Sequence, residues 1–334
     1  MSRALVAFPG RGSYGTTSLG SLPATHAWVR RADELRELAG LPLLSLVDGA
    51  DRFAPAVHLR PTNAWPLTFL CGLLDAERIA DDHEVVVVTA SSTGWYTALA
   101  ASGALGFDDA FRLVQEMARA AEAPLPHDER AGELIYPLTD DGWNPEQDRI
   151  VALRIALDDA DGGASLAVDL GAFAVVGGTT AGLDRVATAL PPVSVGDRAF
   201  PLRMATGQAW HTPLRDASAE AAAASLEGLA WERPNVTLVD GRGVRFTPWS
   251  TDPAELAEQT LRGQAGSTYD FATGIRVALR EYAPDVVLLP GPGASLGAAC
   301  AQVIVADGYR GVRSRADFEA AQAGPSPILL SMRR

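Results

Sequence analysis

The chain has 334 residues, 47% hydrophobic and 21% charged, a globular composition that excludes wholesale disorder. Its 28 basic residues are all Arg and face 41 carboxylates; the net charge of −13 disfavours a phosphate-backbone partner, so no nucleic acid is expected. The lack of any lysine removes a P-loop lysine, a Schiff-base lysine and a Ser-Lys dyad from consideration.

Residues 4–8 read as a short buried strand ending in Pro9-Gly10-Arg11-Gly12-Ser13, a small-residue loop that lets the backbone approach something closely. Residues 62–80 have the mixed apolar spacing of a buried helix. The β-branched run at 84–89 has the composition of a buried parallel strand. It enters Ala90-Ser91-Ser92-Thr93-Gly94 and then a helix over 95–103. A further helix opens at Asp108 and Asp109, where carboxylates suit the helix dipole, and runs to about Glu122. Pro124 and Pro126 mark a boundary.

Beyond it a strand at 133–138, a helix at 145–157, strands at 165–169 and 173–176, a helix at 181–190 and a strand at 199–204 give βαββαβ, the ferredoxin-like order. Helices at 213–226, 253–262 and 271–281 and strands at 235–239 and 286–289 follow, the last ending in Pro290-Gly291-Pro292-Gly293. The tail after Gly308 shows no pattern. The expected fold is α/β: a large subdomain (1–124 and 205–334) with a parallel sheet between helices, resembling the α/β-hydrolases, and an inserted ferredoxin-like small subdomain (125–204).

Cys71 and Cys300 are too few and too separated for a disulfide framework or, alone, a zinc site. No apolar run reaches the ~18–20 residues of a membrane span. Residues 1–10 have too short an apolar core for a signal peptide. A cytoplasmic chain with no membrane partner is expected.

Ser92 is the first candidate for chemistry. A strand running into a small-residue turn and then a helix is the context of a nucleophile elbow, which lifts a serine oxygen beside free helix N–H groups. A plain connection with hydroxyl N-caps reads the same way. The histidines are His26, His58, His83, His127 and His211. His211 stands apart, on the loop after Trp210 and just before Pro213 opens a helix.

Several short motifs together carry a resemblance. Phe8-Pro9-Gly10-Arg11-Gly12-Ser13, Ala90-Ser91-Ser92-Thr93-Gly94-Trp95-Tyr96-Thr97-Ala98-Leu99 and Ala209-Trp210-His211-Thr212-Pro213-Leu214 resemble, in order and spacing, landmarks of the malonyl-CoA:acyl carrier protein transacylases and polyketide synthase acyltransferase domains. Gly103-Ala104-Leu105, Asp108-Asp109-Ala110, Asn235-Val236-Thr237 and Gly291-Pro292-Gly293 continue the match across nearly the whole chain.

The resemblance implies a Ser92–His211 dyad working by a ping-pong course, an oxyanion hole from the backbone N–H groups of Arg11 and Thr93, and a backbone carbonyl at Gln264 that orients the histidine. It implies no tightly bound cofactor: the phosphopantetheine thioester of CoA or of an acyl carrier protein is substrate. It implies an acyl carrier protein as partner, with acyl-CoA a possible donor, and a monomer. At 11 the family's Gln is Arg, which leaves a main-chain donor in place.

The family's dicarboxylate-selective members hold the malonyl carboxylate with an Arg on the helix after the nucleophile. Met117 occupies that place here, and Arg112 and Arg119 are out of register. A buried carboxylate lacking its partner costs about 3–5 kcal/mol, whereas each buried methylene gains about 0.8 kcal/mol. Met117, Trp210 and Ser91 are therefore expected to line a pocket for a monoacyl, aminoacyl or peptidyl-like group, on a groove with an apolar far wall and no guanidinium beside the dyad. Arg149, Arg154 and Arg203 are the candidates for carrier docking. The expected activity is acyl transfer in polyketide or related biosynthesis; the alternatives are a hydrolase that clears stalled acyl carrier proteins and a non-catalytic carrier-binding module.

Overall fold

The computed structural model describes residues 1–125, 130–205 and 207–332. Pro126 of the expected boundary and His127 of the five histidines lie outside the described residues. The strands are β1 (Ser2–Phe8), β2 (His83–Ala90), β3 (Ala131–Pro137), β4 (Ala164–Asp169), β5 (Phe173–Thr179), β6 (Val193–Val195), β7 (Arg198–Phe200), β8 (Leu202–Arg203), β9 (Leu238–Val239), β10 (Arg245–Phe246), β11 (Tyr269–Asp270), β12 (Val286–Leu289) and β13 (Leu329–Ser331).

A six-stranded sheet has the order β10-β9-β2-β1-β12-β13. Every neighbouring pair in it is parallel except β9–β10 at one edge. Alternation along the central strand shows why both faces must be covered. Ala4, Val6 and Phe8 enter one apolar core with the helices Pro61–Asp82, Gly94–Ala101 and Phe107–Glu122. Leu5 and Ala7 enter a second core with the helices Phe271–Tyr282 and Gly297–Asp307.

The second sheet has the order β11-β4-β5-β3-β8. Within it β4-β5-β3-β8 are antiparallel neighbours, the ferredoxin-like arrangement anticipated from the element order. One face packs on the helices Gln147–Asp158 and Thr180–Ala189 over a small core of its own. The other face gives Ala167, Val168 and Val175 to the second core of the large sheet. β11 comes from beyond residue 204, so this sheet is not made of the 125–204 interval alone.

Several elements differ from expectation. The strand foreseen at 199–204 is split at Pro201, which has no N–H for a ladder, into β7, paired with β6, and a two-residue β8. The helix foreseen at 253–262 is Pro253–Glu258 followed by a π-helical turn, Gln259–Gly263. The tail carries a helix, Arg315–Gln322, and β13, which pairs with β12.

The end of β1 is fastened to the turn after β2. Ser91 N–H donates to Phe8 O at 2.9 Å. A Cβ on Gly94 would lie 2.5 Å from Phe8 O and 2.7 Å from Pro9 O, both backbone atoms that cannot swing aside. Gly94→Ala should therefore cost about 2–3 kcal/mol, read as a lowered urea midpoint against the wild type; an unchanged midpoint would contradict this packing.

Candidate active site

The chain passes straight from β2 into Ser92, whose φ of 52° is left-handed. Such a backbone costs a non-glycine residue roughly 1–3 kcal/mol and persists only where its surroundings impose it. Here Gly94 N–H returns to Ser91 O and Trp95 N–H to Ser92 O, each at 2.9 Å, which closes a tight elbow into the helix Gly94–Ala101. His211 and Ala209 are left-handed as well, with φ of 65° and 52°.

The loop carrying His211 lies directly on the second sheet. A Cβ on Gly177 of β5 would meet Thr212 Cγ2 at 2.9 Å and Ala209 Cα at 3.0 Å, and one on Gly207 would strike the Glu133 backbone. Thr212 Oγ1 donates to Ala209 O at 2.7 Å. The buried Arg215 donates from Nε to Gln208 O and from Nη1 to Ala123 O, both at 2.6 Å.

These constraints bring two side chains together from 119 positions apart: Ser92 Oγ lies 2.7 Å from His211 Nε2. His211 Nδ1 lies 2.5 Å from the carbonyl oxygen of Gln264. A carbonyl only accepts, so Nδ1 carries the proton and Nε2 offers its lone pair to the serine hydroxyl. The carbonyl is held by its own surroundings. Gln264 follows the π turn, Gln264 Nε2 donates to Thr260 O at 3.3 Å, and Thr260 Oγ1 accepts from Trp95 Nε1 at 2.9 Å. The Tyr269 ring packs 5.3 Å from the imidazole, centroid to centroid, and its hydroxyl donates to Ala90 O. Burial pushes the His211 pKa down to about 4; the Gln264 carbonyl opposes that shift and the positive field of Arg11 adds to it.

A cavity of about 220 Å³ opens over the elbow. Gly10, Arg11, Gly12, Ser91 and Ser92 form one side, Ser295 a polar edge, and Ile135, Val168, Leu170, Val175, Met204 and Leu296 an apolar wall. Thr93 heads the helix at the elbow with its side chain buried. The dyad residues, Gln264, Arg11 and Thr93 are thus gathered around one point.

Two expectations need correction. Met117 and Trp210 do not line this cavity: Met117 is fully buried in the first core, and Trp210 packs edge-on against Trp65 at 6.1 Å. Of the expected acyl-pocket residues Ser91 alone reaches it, and the apolar wall comes from the second sheet and the loop before Gly297. The other correction concerns Arg11, whose guanidinium was not expected beside the dyad. It forms part of the cavity side, donates from Nη1 to Gln208 Oε1 at 2.8 Å, and is ion-paired with Glu133 of β3. Glu133 received no role from the sequence. Its signal was a carboxylate amid apolar strand positions, which demands a buried partner.

Of the expected docking arginines, Arg149 and Arg154 lie on the helix Gln147–Asp158 and Arg203 on β8. Arg149 donates to Thr139 O at 2.6 Å, Arg203 pairs with Asp184, and Arg154 is exposed on the helix Gln147–Asp158. Larger surface grooves, of about 530 and 520 Å³, are not lined by Ser92 or His211.

Because the folded His211 pKa lies below its ordinary 6.5, the unfolded chain takes up the proton first. Stability from the neutral imidazole is complete above about pH 6.5 and lost as the pH falls towards 4. The unfolding free energy of the wild type relative to His211→Gln should therefore drop by ~3 kcal/mol between pH 7 and pH 4, measured by denaturant titration at each pH.

No protein-family model matches the chain, and no curated protein matches it in sequence. Solved structures do resemble it. An acyl-carrier-protein S-malonyltransferase from Burkholderia pseudomallei 1710b is 23% identical with a TM-score of 0.71, covering 91% of this chain and 93% of that one. The acyltransferase domain from the second module of the salinomycin polyketide synthase is 21% identical with a TM-score of 0.72, covering 100% and 69%. A malonyl-transacylase in complex with its type II polyketide synthase acyl carrier protein is 16% identical with a TM-score of 0.74, covering 100% and 96%. The chain has the fold of these proteins, a large α/β unit with a small ferredoxin-like one.

Proposed function

We propose that the protein is an acyltransferase that moves a monoacyl, aminoacyl or peptidyl-like group from a CoA or carrier-protein thioester to an acyl carrier protein, in polyketide or related biosynthesis. The observation that carries this reading is the 2.7 Å contact of Ser92 Oγ with a His211 whose other nitrogen is held by a main-chain carbonyl. Ser92 Oγ attacks the thioester carbonyl while His211 Nε2 takes its proton. The oxyanion is met by the N–H groups of Arg11 and Thr93. The C–S bond breaks, and the imidazolium returns the proton to the departing thiolate. The carrier's phosphopantetheine thiol then attacks the acyl-Ser92 ester by the same steps in reverse. No metal or redox group enters this sequence.

A main-chain acceptor behind the histidine suits this work. It fixes the tautomer without adding a second buried negative charge beside the developing oxyanion. Two of the fold neighbours are named for malonyl transfer, and one of these is bound to a carrier protein. The malonyl preference is not carried over, because Arg11, on the cavity side, already has a carboxylate partner. For an acidic carrier, Arg154 and Arg203 are exposed and Arg149 is half-buried.

The test is intact-protein mass spectrometry after mixing with acetyl, aminoacyl and malonyl thioesters, with and without holo carrier protein. The expected result is an acyl adduct on the wild type, none on Ser92→Ala, loading about 10²–10⁴-fold slower in His211→Ala, and passage of the acyl group to the carrier. Release as free acid alone identifies a hydrolase, and malonyl loading faster than every monoacyl donor refutes the substrate class. Because His211 stays neutral down to about pH 4, loading should be nearly level from pH 8 to about 5 and fall below that, as stopped-flow acylation at each pH would report.

A further inference from the structure

The side chains of Arg11 and Glu133, paired beside the dyad, make no bond and move no proton in the acyl-transfer steps above. Arg11 sits on the loop between β1 and Tyr14, with its side chain 13% exposed, on the side of the cavity that also holds Ser92. Glu133 approaches from behind, its side chain fully buried on β3. Gln208 closes the group: its Oε1 accepts from Arg11 Nη1 at 2.8 Å, and its N–H lies 3.4 Å from Glu133 Oε1. Three segments of the chain thus converge on one guanidinium. The cluster has a net charge of zero, in a place where burial lowers the pKa of Arg11 itself to about 10.

We infer that Glu133 is a specificity-determining residue, which by occupying the Arg11 guanidinium from behind makes the cavity reject acyl groups bearing a free carboxylate. This deepens the acyl-transfer reading and rests on it. A malonyl-type carboxylate entering over Ser92 meets a cation already compensated. Engaging Arg11 would set two carboxylates around one guanidinium beside a Glu133 with no exposed surface, leaving a net negative charge that burial penalises. Withdrawing Glu133 from the pair would require burying its charge alone, since its side chain has no exposed surface. An acyl group without charge meets neither cost and lies against Ile135, Val168, Val175 and Leu296. Glutamine at 133 keeps the shape and an oxygen for the Gln208 N–H but removes the negative charge, so Arg11 would attract a carboxylate from the cavity side.

The experiment compares malonyl with acetyl thioesters on wild type, Glu133→Gln and the double variant Arg11→Gln/Glu133→Gln. Initial acylation is read by mass spectrometry. Equilibrium binding of malonyl-CoA and acetyl-CoA is read by calorimetry on the same proteins carrying Ser92→Ala. In Glu133→Gln the malonyl-to-acetyl ratio should rise about 10–100-fold in both readouts, and in the double variant it should return towards the wild-type value. A ratio unchanged in Glu133→Gln, with circular dichroism showing it folded, overturns the role of Glu133. A rise that persists in the double variant overturns it too, because the gain would not come from Arg11. If no protein forms an acyl adduct but the binding ratio still shifts, the charge argument holds and the transfer reading fails.

Discussion

The site depends on a single hydrogen bond from an imidazole N–H to a main-chain carbonyl. A serine hydroxyl needs a base, and a buried imidazole serves only if its proton sits on the far nitrogen and its ring is aimed. The Gln264 carbonyl does both, at 2.5 Å from His211 Nδ1. That carbonyl is available because Gln264 caps the end of the helical stretch that begins at Pro253, where the last carbonyls have no partner within the ladder. Thr260, within the same turn, is tied to the Trp95 indole, which stands on the helix that starts at the elbow. Nucleophile, base and orienting carbonyl are thereby linked through one short set of contacts rather than placed independently.

The backbone accepts local strain to reach this arrangement. Ser92, Ala209 and His211 are all left-handed without being glycine. The compensation comes from large buried groups nearby: Trp95, Trp210 and Arg215 are almost wholly enclosed, and Arg215 fixes the loop through two carbonyls. Glycines sit where other segments press closest. Gly94 receives the end of β1, Gly177 receives the histidine loop, and Gly207 of that loop lies against the Glu133 backbone. Each would clash with backbone or adjoining atoms if it carried a side chain, so strain at the dyad is matched by close contact around it.

The parts legible in the sequence were those governed by local rules. β1, β2 and β12 are short apolar runs bounded by turn residues, and all three form in the core of the large sheet. The βαββαβ order at 133–204 was enough to foresee the small antiparallel sheet. Ser92 stood out through its elbow and His211 through the proline-opened helix that follows. What escaped was decided by partners distant in sequence. β10 and β11 have two residues each and exist only because a neighbour supplies the other half of the ladder, and the strand read at 235–239 is cut to Leu238–Val239. The tail after Gly308 shows little periodicity, yet β13 forms because β12 offers an open edge. Met117 occupied the helix position that suggested a pocket, but it is wholly enclosed in the first core, and the open space by the serine is lined by other residues. Arg11 and Glu133 are 122 positions apart, and neither alone signals the other.

The reacting oxygen and the greasy wall facing it belong to different sheets. Ser92 is rigidly joined to β1 and β2, while Ile135, Val168 and Val175 project from β3, β4 and β5. What is done to a substrate and which substrate is admitted are therefore written in separable stretches of the chain. Descendants of such a scaffold could change diet by altering one inserted module, with the bond-breaking apparatus inherited intact.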